Sequence, residues 1–95
     1  MNTAHDKHLD TIKIQNRLKR IEGQIRGISG MLEENRRCEE IITQLSAINA
    51  AITNTAREIL YSHIEHSVGF LAKNDDIGAT VDDLRRAIES FGKLK

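Results

Sequence analysis

From Ile14 onward, isoleucine and leucine recur at steps of 4, 3, 4, 3 and 4, at Leu18, Ile21, Ile25, Ile28 and Leu32. An α-helix turns that spacing into one continuous apolar line, and such a line calls for another helix laid along it. The pattern predicts an amphipathic helix over roughly residues 8–34. Asn35, with Arg36 and Arg37, supplies the only local turn chemistry before periodicity resumes at Cys38. A second helix is predicted from there to about Lys73, with Ile42, Leu45, Ile52, Ala56 and Ile59 on one face. Asn74-Asp75-Asp76-Ile77-Gly78 reads as a loop from its turn formers. Thr80 then caps a third helix, with Asp83 as the far end of an imperfect capping box and Val81, Leu84, Ile88 and Phe91 as the apolar stripe. The expected fold is all-α, three helices in a single domain spanning 1–95, with residues 1–8 as a mobile leader.

Gly23, Gly27 and Gly30 fall inside the first predicted helix and share one side of it. Each costs about 1 kcal/mol relative to alanine there. Close approach of another helix backbone accounts for them better than a phosphate loop, because no strand precedes them.

With 95 residues, 39% of them hydrophobic, and three aromatics, a lone copy would have a thin core, so self-association is the expected remedy. A single cysteine excludes an intrachain disulfide, and the opening residues carry no signal segment, which together point to a reducing cytoplasmic setting. The apolar runs are far shorter than the roughly 20 residues that span a bilayer, so no membrane partner is expected. Net charge is zero, yet residues 1–37 carry +3, 38–78 carry −4 and 79–95 carry +1. The first third is the basic part of the chain.

Cys38 and His63 stand 25 residues apart on the second predicted helix. That is about seven turns, so both project from one face, roughly 37 Å apart along the axis. They cannot meet within one chain. If two copies of the helix pack antiparallel about a two-fold near Ala50 and Ala51, Cys38 of one protomer lands opposite the partner's His63, and two identical sites form per dimer. The same register sets Ile42 against Ile59, Leu45 against Ala56 and Asn49 against Ile52, placing large side chains against small ones at several points. Asn49 reads as a register-setting or solvated polar group.

All four histidines can be brought near this site: His63 and His66 stand toward the end of the second helix, and His5 and His8 lie in the leader. Thiolate and imidazole suit a first-row metal, whose ligand atoms lie about 2.0–2.3 Å from the ion. The helix N-terminus, Arg36 and Arg37 favour thiolate at Cys38, while Glu39 and Glu40 oppose it. The structural alternatives are a buried small residue at Cys38, a core histidine at His63, solvent exposure at His66 and a disordered segment around His5 and His8. Glu65 and Asp83 are candidate outer partners for an imidazole. No second cysteine, paired acids or Ser/His/Asp arrangement points to catalysis, so an enzyme is not expected.

Lys13, Arg17, Arg20 and Gln24 follow helical spacing and form a stripe about 100° from the apolar seam. A solvated charged face is the ordinary explanation. Repeated on every copy of an oligomer, the stripe would multiply phosphate contacts and make binding salt-dependent. Without interleaved aromatics it is unsuited to single strands, which leaves double-stranded DNA as the expected partner.

Arg17-Leu18-Lys19-Arg20-Ile21-Glu22-Gly23-Gln24, followed by Cys38 and His63, resembles the copper-sensing operon repressor family, which also has nickel/cobalt-responsive and formaldehyde-responsive members. The similarity covers about residues 9–91. It implies antiparallel four-helix-bundle dimers that assemble as a dimer of dimers. It further implies binding to operator DNA without a helix-turn-helix, release when an effector occupies a site shared by two subunits, and DNA contacts at Arg17 and Arg20. Ser67, one turn after His63, stands where the copper branch has cysteine, so Cu(I) is disfavoured against Ni, Co or Zn. The nickel/cobalt branch combines a leader histidine, Cys, His and a further His; here His5 or His8, Cys38, His63 and a displaced His66 are on offer. The expected function is thus a repressor released by a borderline metal ion. Formaldehyde acting at the same cysteine, a Cu(I)-responsive repressor and a helical adaptor that binds no DNA are the alternatives.

Overall fold

The computed structural model describes residues 10–74 and 76–94. His5 and His8, with the rest of the expected leader, lie outside the described residues. Helix α1 spans Thr11–Glu33, α2 spans Cys38–Asn74 and α3 spans Ile77–Gly92. All three are α-helical, and no strand occurs among the described residues.

Asn35 ends α1, and its backbone shows why. Its φ of 56° is the left-handed conformation that asparagine tolerates better than most side chains. Arg36 N–H donates to the Met31 carbonyl at 3.0 Å and Asn35 N–H to that of Leu32 at 3.2 Å, the paired bonds that close a helix C-terminus. Glu39 and Glu40 in the first turn of α2 complement its dipole.

The start of α3 differs from expectation. Thr80 is not the cap: Asp76 is, its side chain accepting from Ala79 N–H at 3.1 Å. Ile77 and Gly78, expected in the loop, are helical. Thr80 lies one turn inside, buried, with its hydroxyl donating to the Asp76 carbonyl at 2.9 Å. Asp and Thr are both good caps, and the earlier one wins because it lets Ile77–Ala79 join the helix. Asp83 is thereby released from any capping box.

The chain divides into two compact units, Thr11–Thr55 and the residues from Ala56 on. In the first, Ile21 and Ile48 form the buried core, at 6% and 5% exposure. The heptad line on α1 splits in two. Ile14, Ile21 and Ile28 are buried or half-buried, whereas Leu18, Ile25 and Leu32 are 51%, 52% and 59% exposed. The second set is solvent-facing in a single chain and has the character of an association surface. Ile42, Leu45 and Ile52 on α2 are likewise exposed. The expected close approach at the glycines is not found among the described residues: a Cβ at Gly27 or Gly30 would meet nothing within 4 Å.

In the second unit α3 lies against the later part of α2. Leu84 and Phe91 of its stripe are half-buried, Val81 and Ile88 exposed. The Arg57 guanidinium stands 5.9 Å from the Phe91 ring centroid, a cation–π distance. No helix among the described residues is long and apolar enough to cross a membrane.

Candidate functional site

The imidazole of His63 is the organised part of the expected effector site. Its side chain is only 15% exposed, and Nε2 lies 2.5 Å from Oδ2 of Asp83 on α3. A carboxylate accepts, so this contact calls for the tautomer with its proton on Nε2 and directs any metal to the other ring nitrogen, Nδ1. Of the two candidate outer partners, Asp83 thus holds that place, while Glu65 is exposed. The other oxygen of the Asp83 carboxylate, Oδ1, lies 3.8 Å from the Arg86 guanidinium.

His63, His66, Ser67, Phe70, Thr80 and Asp83 line a cavity of about 200 Å³. His66 is half-buried and shares this cavity, in contrast to the solvent-exposed alternative. Ser67, one turn beyond His63, is buried at 6% exposure and lines the same cavity.

Cys38 is an exposed free thiol in the first turn of α2. Its basic neighbours are already engaged. Arg36 hydrogen-bonds Glu40 and stands 3.6 Å from Glu34, while Arg37 lies 3.2 Å from Glu40 and 3.5 Å from Glu39. The hydrogen bond from Arg36, then that from Arg37, holds the Glu40 carboxyl below its ordinary range. Among the described residues no group of three or more His, Cys, Asp or Glu side chains is placed to hold a metal ion. The described donors of one chain therefore fall short of a metal centre.

The basic stripe is only partly a stripe. Arg17, Arg20 and Gln24 line a cleft of about 250 Å³ with Ala51, Asn54 and Thr55 of α2; Lys13 is exposed on the same helix but outside the cleft. Oε1 of Gln24 is buried with no hydrogen-bond partner. Sequence reasoning missed Asn54 because it sits in the acidic middle of the chain, and nothing in its local pattern distinguishes it from a solvated side chain. Only the packing of α2 on α1 brings it beside the arginines.

Residues 10–90 match a family described as metal-sensitive transcriptional repressor. The copper-sensing transcriptional repressor CsoR of Bacillus subtilis is 39% identical over 89 residues, covering 94% of this chain and 88% of that one. The transcriptional repressor RcnR of Escherichia coli strain K12 is 28% identical over 96 residues, covering 97% and 98%. Among solved structures, the nickel-responsive transcriptional regulator InrS superposes with a TM-score of 0.85 at 36% identity, over 88% of this chain and 94% of that one. With a family match over residues 10–90 and with relatives and a solved structure that are similar along most of its length, the chain belongs to the metal-sensitive transcriptional repressor family.

Proposed function

We propose that the chain is a homo-oligomeric repressor that binds operator DNA and leaves it when a metal ion occupies a site completed by Cys38 of one protomer and the partner's His63. The observation that carries this reading is His63 itself: a half-buried imidazole oriented by Asp83 through Nε2, on the same helix as an exposed thiol, with no group of three or more metal-binding side chains among the described residues. Preorganised donors that are too few in one chain are what a subunit-spanning site requires. The exposed Leu18, Ile25, Ile42, Leu45 and Ile52 supply apolar surface for the association.

The donor set fits a borderline ion, Ni(II), Co(II) or Zn(II), better than Cu(I). Ser67 puts an oxygen where a second soft sulfur would otherwise strengthen Cu(I) binding, and imidazole suits the borderline ions. His66 lines the same cavity and is the nearest further candidate; His5 or His8 would complete the set. A bound ion would tie Cys38 to the partner's His63. Lys13, Arg17, Arg20 and Gln24 form the DNA-facing group in this reading. Release requires that the ion bind the DNA-free arrangement more tightly than the DNA-bound one. Formaldehyde adding to the thiol is a second reading, favoured by the exposure of Cys38 and by Ser67 in place of a second thiolate.

The test is fluorescence anisotropy of the protein on a duplex from its own promoter, titrated with Ni(II), Co(II), Zn(II), Cu(I) and formaldehyde. Release by a borderline ion, lost in Cys38→Ala without loss of DNA binding, is the expected result. Release by formaldehyde alone would transfer the function to the second reading. Undiminished metal response in Cys38→Ala would overturn the site.

A further inference from the structure

Helix α3 meets α2 along a column of side chains rather than at one point. Thr80, Asp83, Ala87 and Phe91 follow one another at steps of 3, 4 and 4 and are buried or half-buried, whereas every residue between them except Leu84 is exposed. Their counterparts on α2 are Ser67, His63, Leu60 and Arg57, again none of them exposed. Ser67 and Thr80 line one cavity, His63 meets Asp83, Leu60 and Ala87 line a recess of about 370 Å³, and the Arg57 guanidinium stands 5.9 Å from the Phe91 ring centroid. Residue numbers fall along α2 as they rise along α3, so the two helices run antiparallel. Two of these pairings involve a charged group: Asp83 with His63, and Arg57 with Phe91.

Phe91 stands in the last turn of α3, one residue before its end at Gly92. A helix of 16 residues is at best marginally stable alone in water, so what it packs against decides where it lies. Asp83 is about 12 Å from Phe91 along α3, and His63 about 9 Å from Arg57 along α2, so the two contacts hold α3 at well-separated points. Slippage of α3 by one residue would carry the Asp83 carboxylate about 1.5 Å along the axis and turn it by about 100°, away from Nε2 of His63. Resting on the reading that His63 is an effector ligand, we propose that Arg57 and Phe91 are positioning residues for the effector site: the guanidinium over the ring pins the last turn of α3, which keeps Asp83 on Nε2 of His63 and leaves Nδ1 for the ion. Attraction of a cation to a ring face consumes no N–H group, so it coexists with the further interaction that Arg57 has. The coupling is reciprocal: an ion that tightens His63 on Asp83 also tightens the last turn of α3.

The test uses Arg57→Met, Arg57→Lys, Phe91→Leu and the double variant Arg57→Met/Phe91→Leu in the full-length protein, with Arg85→Ala as the control for losing an exposed charge on α3. In the metal-free protein, NMR reads how fast the proton on Nε2 of His63 exchanges with water. In the Co(II)-loaded protein, chelator competition reads affinity and the thiolate charge-transfer band reports Cys38. Arg57→Met, which keeps an apolar stem without charge, should speed that exchange and weaken Co(II) binding by about 2- to 5-fold, the range of a partly exposed cation–π contact. Phe91→Leu should act in the same direction, and the double variant should cost little more than Phe91→Leu alone, because both changes remove one contact. Arg57→Lys should recover most of the loss, and Arg85→Ala should match wild type. The charge-transfer band should persist throughout, since Cys38 is untouched. Unchanged exchange at His63 in Arg57→Met, full additivity in the double variant, or no recovery with lysine would overturn the positioning role, even where thermal stability falls. Faster exchange at His63 with Co(II) affinity unchanged would uphold the role and overturn instead the reading of His63 as a ligand.

Discussion

Replacing Asp83 with alanine removes the group that orients His63, and two magnitudes follow. The first is stability. A hydrogen bond to a charged acceptor contributes about 1.5–3 kcal/mol in favourable cases. Here the histidine side chain is 15% exposed but the carboxylate is 43% exposed, so solvent competes for it and the contribution drops to about 1 kcal/mol. For a chain of this size that corresponds to about 4–8 °C in Tm, measured without metal at fixed protein concentration. The second is affinity. Loss of the carboxylate behind a ligating imidazole typically weakens metal binding by about 10- to 100-fold. The assay is Co(II) absorption, with the thiolate-to-metal charge-transfer band reporting Cys38 and a competing chelator setting the affinity. Asp83→Asn should be intermediate, because its amide oxygen still accepts from Nε2–H but carries no charge. Wild-type affinity in Asp83→Ala, with the charge-transfer band intact, would refute the argument that the Asp83 contact prepares His63 as a ligand.

Three other outcomes are expected. Asp76→Ala should destabilise the chain by about 1 kcal/mol by removing the cap of α3, with the loss of helicity seen as faster amide exchange at Ala79 and Thr80; unchanged exchange there would exclude the cap. Ile21→Ala should cost about 2–5 kcal/mol in chemical denaturation, whereas Ile12→Ala, at 72% exposure, should stay within about 0.5 kcal/mol; equal costs would contradict the placing of Ile21 in the core. The Glu40 carboxyl, held low by Arg36 and then Arg37, should titrate nearer the ordinary range in Arg36→Ala, as followed by side-chain NMR. Its folded value is depressed, so this contact supports the start of α2 at neutral pH and is lost as pH falls through that depressed value. An unmoved midpoint would show that Arg36 is not the cause.

Periodicity determined that α1 and α2 are helices, because apolar residues at helical spacing in Ile14–Leu32 and again beyond Cys38 share a face only in an α-helix, and Asn35 is the one side chain between them suited to a left-handed turn. The same arithmetic placed Cys38 and His63 on one face, and the basic segment from Arg17 to Gln24 carried the family. Local pattern could not decide where α3 begins, since Asp76 and Thr80 are both competent caps, and the structure places the cap at Asp76, whose side chain accepts from Ala79 N–H. Nor could it decide which half of the α1 seam turns inward: Ile21 and Ile25 are chemically alike, yet Ile21 is buried and Ile25 is 52% exposed. Asp83 against His63 is a pairing of residues 20 positions apart, and Asn54 shares a cleft with Arg17, 37 positions away. Contacts at such separations leave no periodic trace in a sequence, because they are set by how one helix is rotated against another, and that rotation is fixed by the packing of whole faces rather than by the residues that end up touching.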